Sequence, residues 1–85
     1  MDSKSERLRE ACEQAVQTFR KLKDPDFTDI ISKLEFCIGS YNYDKNPSGL
    51  VEFGHVALSM LKEVKKTLPR KVSKELLSSL EESLT

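Results

Sequence analysis

NPSGLVEFGHVALSMLKEVKKTLP, residues 46–69, is the stretch that decides the fold. Leu50, Gly54, Ala57, Leu61, Val64 and Leu68 recur in it at alternating steps of four and three. That spacing puts them on one side of an α-helix, because a helix returns to the same face about every 3.6 residues. Val51, Phe53, Leu58 and Met60 flank the line, so the apolar arc covers roughly half the circumference. A helix this apolar meets more than one neighbour, and the spacing predicts a central helix over 47–68. Gly54 falls inside the arc, where a missing side chain lets another helix approach closely. Asn46-Pro47 marks the start as a cap followed by a proline suited to the first turn. Leu68-Pro69 marks the end.

Working outward, residues 4–23 show the same periodicity through Leu8, Ala11, Cys12, Ala15, Val16, Phe19 and Leu22. Ser3 and Glu6 have the spacing of a capping box at the head of this first helix. Asp24-Pro25 stops it and starts a second helix, predicted to run to about Tyr41. Phe27, Ile30, Ile31, Leu34, Cys37, Ile38 and Tyr41 form the second stripe. The run from Tyr41 to Asn46 is rich in turn formers and reads as a loop. Ser73 caps a short fourth helix with Leu76, Leu77, Leu80 and Leu84 inward, and Val72 and Leu77 are spaced as a hydrophobic staple. No stretch alternates as a strand does. The fold class expected is all-α: one domain over residues 1–85, a small up-down helical bundle of three main helices plus a short C-terminal helix.

Charged residues make up 33% of the chain and hydrophobic ones 38%, which excludes a disordered segment. No apolar run approaches the roughly 18 residues a bilayer span needs. The charged start Met1-Asp2-Ser3-Lys4-Ser5-Glu6 does not read as a secretory signal, so a cytoplasmic protein is expected. Cys12 and Cys37 fall on apolar faces and read as buried thiols; a disulfide is the lesser alternative.

Three polar groupings invite a chemical reading. Glu52, His55 and Ser59 line up along the third helix, but a serine nucleophile also needs an oxyanion hole and a shielded pocket. Asp44, Asn46, Ser48 and Gly49 match the first half of a calcium loop. The twelfth position, a bidentate glutamate in such loops, is His55. With one histidine and no glycine-rich loop, no catalytic, cofactor or metal site is expected. The third grouping is basic: Lys62, Lys65, Lys66, Arg70, Lys71 and Lys74 surround the junction of the third and fourth helices. They are candidates for binding an anion or nucleic acid. Nucleic acid is the poorer match, because the run lacks aromatic stackers and polar base readers.

Phe36 and Tyr43 lie off the second helix's buried stripe, with Gly39 and Ser40 between them. These four residues are candidates for binding a partner, either an unidentified protein or a second copy of the chain. Alternatively, the fourth helix or the N-terminus covers them. Ala57, Leu61, Val64 and Pro69 share the spacing of the second helix of a tetratricopeptide repeat, but that repeat's first-helix pattern is absent. No family is assigned on the sequence. The function expected is a small non-enzymatic protein–protein interaction module, with anion or nucleic-acid binding at the basic junction as the alternative.

Overall fold

The computed structural model describes residues 3–84, except for the side chain of Ser3. Four helices account for most of it: α1 (Ser3–Leu22), α2 (Thr28–Asp44), α3 (Ser48–Thr67) and α4 (Lys74–Leu84). A short 3-10 turn, Pro25–Phe27, joins the first two. The described residues contain no strand, and the chain is an all-α bundle.

The α1 stripe is buried as its spacing predicts, from Leu8 to Phe19, with Leu22 half-buried beside it. The capping box expected of Ser3 and Glu6 lies outside the described residues. Arg9 binds Glu6 at 3.2 Å and Glu13 at 2.9 Å along the wet face. The Arg9 contact holds the Glu6 carboxyl below its ordinary value.

Element boundaries differ from expectation at both ends of α2 and of α3. Pro25 begins a 3-10 turn rather than α2, which starts at Thr28. Asp24 accepts a side-chain bond from the Asp26 N–H at 2.9 Å and a backbone bond from Phe27 at 3.0 Å. That tight turn sets the Phe27 ring against Phe19, with ring centroids 4.8 Å apart. At its other end, α2 runs past Tyr41 through Asn42, Tyr43 and Asp44. Tyr41 is buried and donates its hydroxyl to Glu6 at 3.2 Å, so burial overrides the turn-forming composition. Lys45 stops the helix in the left-handed region, φ 60°, with its N–H on the Tyr41 carbonyl. Finally, α3 begins at Ser48, not Pro47; the Asn46 side chain accepts from the Ser48 N–H at 3.1 Å.

Leu68 is half-exposed and leaves the inner line of α3. The helix has ended by then, and Leu68 is already out of helical conformation at φ −130°. The Lys65 ammonium bonds the Pro69 and Val72 carbonyls and so straps the junction. Ser73 caps α4 as expected, its hydroxyl accepting from Glu75 at 3.1 Å and Leu76 at 3.4 Å.

The helices run up and down. Arg20 pairs with Glu35 at one end of α1 and Glu6 meets Tyr41 at the other, so α1 and α2 are antiparallel. Lys62–Glu81 and the Gly54–Leu84 approach make α3 and α4 antiparallel as well. Centrality is shared: both α1 and α3 pack on the three other helices, and α2 and α4 each pack on that pair. The small residues Ala11, Cys12 and Ala15 let α1 into the middle beside α3. Gly54 acts as expected, since a Cβ there would stand 3.2 Å from Leu84 and 3.4 Å from Leu8.

Ser83 is the exception inside this core. It is only 6% exposed, and its hydroxyl has no hydrogen-bond partner. A buried hydroxyl without a partner carries a desolvation cost of about 1–3 kcal/mol. Ser83→Ala removes it and adds helix propensity, so stability is expected to rise by about 1 kcal/mol. Urea unfolding checks this; a loss of stability would show that the hydroxyl is satisfied in solution.

Candidate protein-docking face

Because α2 continues to Asp44, Phe36, Gly39, Ser40 and Tyr43 occupy one helical face, at i, i+3, i+4 and i+7. The opposite face carries Ile30, Leu34, Cys37 and Tyr41 into the core. Neither the N-terminal helix nor α4 covers the outer face: Phe36 is 77% exposed and Tyr43 92%. Ser40 is exposed, and Gly39 is open enough that a Cβ would meet nothing within 4 Å. The strip contains no charge; Asp29 and Lys33 precede it and Asp44 closes it.

Gly39 is the informative residue here. A glycine inside a helix costs about 1 kcal/mol relative to alanine. Its φ is not positive, and no neighbour in the fold occupies the space a Cβ would fill. The monomer thus gains nothing from the missing side chain. Beside it, a groove of about 390 Å³ runs between α1 and α2 over Val16, Ile38 and Gly39. The Arg20–Glu35 pair spans its wall. This groove was not foreseen from the sequence, because it depends on how α1 and α2 lean together.

The six basic candidates do not form one free patch. Lys62 pairs with Glu81 at 2.8 Å, Lys66 with Glu63 at 3.4 Å, and Lys65 is spent on backbone carbonyls. Arg70, Lys71 and Lys74 remain exposed in and after the turn that follows α3. Glu52, His55 and Ser59 stand exposed along α3. In the would-be calcium loop the oxygens already serve the turn. Asp44 accepts from the Asn46 N–H at 2.9 Å, and Asn46 accepts from both the N–H and the hydroxyl of Ser48. No cluster of three or more His, Cys, Asp or Glu suited to a metal occurs among the described residues. Among them, too, no helix is long and apolar enough to cross a membrane.

Comparison with family models, with curated proteins and with solved structures finds no match. The functional reading therefore rests on the chain's own geometry.

Proposed function

We propose that this domain is a non-enzymatic protein-interaction module that docks a partner helix on the outer face of α2. One observation carries the reading: two large aromatic rings stand almost wholly in water on a single helical face, with only small residues between them. Single exposed apolar residues are ordinary, but paired rings flanking a small-residue strip suit helix-on-helix packing. Tyr and Phe supply large contact area for little lost side-chain freedom. The two free, buried cysteines fit a reducing compartment, in keeping with a cytoplasmic role.

Site-directed photo-crosslinking in the native cell tests it. A benzophenone side chain at position 36 or 43 is expected to capture a discrete product, and one at the exposed positions 63 or 75 to capture none. Equal capture at all four positions, or none at any, overturns the reading. The basic junction is the weaker alternative, because three of its six cations already bind within the chain. It would show as fluorescence-anisotropy binding to an oligonucleotide that falls steeply with salt.

A further inference from the structure

The geometry points to a second copy of this chain as the occupant of the α2 face, paired antiparallel about a two-fold axis between Gly39 and Ser40. This rests on the docking reading above and names its partner. Three features of the face carry it.

The first is the symmetry of the strip. Phe36 and Tyr43 lie at equal distances either side of the Gly39–Ser40 midpoint, about 10 Å apart along the axis. Turning a second α2 about that midpoint sets its Tyr43 at the level of Phe36, and its Phe36 at the level of Tyr43. The small residues then meet small residues at the crossing. A two-fold contact requires such self-complementarity, because both copies present the same patch.

The second is charge. Lys33 lies on the flank of α2 that faces α3, its ammonium 5.6 Å from the centre of the Phe53 ring and 2.9 Å from the Asp29 carboxylate one turn back, so Asp44 of a second copy would join an existing pair. Asp44 is on the same flank, about 20° away around the helix at 100° per residue. In the antiparallel pair, Asp44 of the second copy comes level with Glu35, about 3 Å along the axis from Lys33. A two-fold perpendicular to the plane of the two helices keeps both on one side of the dimer. Lys33 then meets Asp44 of the second copy, twice over. Glu35 stays on the other flank, held by Arg20, and Lys33 stands along the axis between Asp29 and the arriving Asp44.

The third is Gly39. Its bare backbone has no use inside the monomer, and it sits at the crossing, where two helices come nearest. Aromatic side chains bury about 150–250 Å² each, so four rings approach but do not reach the roughly 1,200–2,000 Å² of a long-lived complex. The pair is accordingly a reversible dimer rather than a permanent one.

Sedimentation of the intact chain from about 10 µM to about 1 mM is expected to show a monomer–dimer equilibrium. Gly39→Ala separates folding from pairing. It is expected to raise the melting temperature of the dilute protein by about 4–8 °C, yet to weaken association at least tenfold. Lys33→Asp is expected to weaken association, and adding Asp44→Lys in the same chain to restore it, since only an antiparallel self-pair makes those residues neighbours. Under mild oxidation Ser40→Cys is expected to form a disulfide-linked dimer, whereas Glu63→Cys gives none; Cys12 and Cys37 are buried and do not compete. A chain that stays monomeric at about 1 mM, or a charge swap that fails to restore pairing, overturns the self-association. Those results leave the docking reading to the crosslinking at positions 36 and 43. A product there with a mass other than twice the chain's keeps the docking face but assigns it another partner.

Discussion

Phe19→Ala is expected to lower the free energy of unfolding by about 3–4 kcal/mol, the largest loss of any single aromatic truncation in this chain. Removing a core phenylalanine costs about 3–5 kcal/mol, from lost transfer energy and from the cavity left behind. Phe19 is 1% exposed, closes the buried part of the α1 stripe and packs its ring against Phe27. The cavity would open beside the Pro25–Phe27 turn, which Asp24 and Phe27 close with a backbone bond, so collapse into it is limited. Alanine returns roughly 0.5 kcal/mol of helix propensity, which brings the figure to the lower part of that range. Domains of this kind hold about 5–15 kcal/mol in all. Phe36→Ala provides the contrast. The same side-chain type, 77% exposed on α2, is expected to change stability by no more than about 0.5 kcal/mol. Denaturant midpoints for the two variants, at equal slope, check both figures. A Phe19→Ala loss below about 1 kcal/mol would mean that this part of the core is not packed as described.

Much of this architecture could be read directly from residue spacing. The α1 stripe was legible because Leu8, Ala11, Cys12, Ala15, Val16 and Phe19 fall at i, i+3, i+4, i+7, i+8 and i+11, and every one is buried. The cap at Ser73 was legible because a hydroxyl before an apolar run has one efficient use. The ends of α2 were not, because they are decided by distant partners: Phe27 by Phe19, and Tyr41 by Glu6. Leu68 was misplaced because periodicity cannot register that the helix ends one residue earlier. The docking face was half legible. Spacing put Phe36, Gly39, Ser40 and Tyr43 together, but their exposure depends on α4 packing against α1 and α3, which no local pattern encodes. The basic junction shows the converse. Its charges are plain in the sequence, but Lys62 finds Glu81 only once α3 and α4 lie side by side.

The second large effect is an alkaline loss of stability that originates at Cys12. Burial pushes this thiol up to about 12, with the neighbouring Cys37 and Glu13 adding to the rise. In the unfolded chain it ionises near its ordinary value of 9.0. Between those two values the unfolded chain gives up a proton that the folded chain keeps, so unfolding becomes easier as pH rises. The stability tied to the neutral thiol is therefore full below about pH 9 and is lost as pH climbs toward 12. Each unit in that window removes about 1.4 kcal/mol, so raising the pH from 8 to about 10.5 is expected to remove roughly 2 kcal/mol. Cys12→Ala leaves a small cavity and starts out less stable, by on the order of 1 kcal/mol. Its stability should nevertheless fall less steeply above pH 9, and the two curves should converge and then cross. The two proteins differ only at position 12, so the difference between the curves isolates the thiol. Cys37 is also raised by burial and is present in both. Urea titrations of the two proteins at half-unit steps from pH 8 to 11 give the comparison. Parallel curves would show that the Cys12 thiolate reaches water in the folded chain, and that the centre of the bundle is looser than its packing implies.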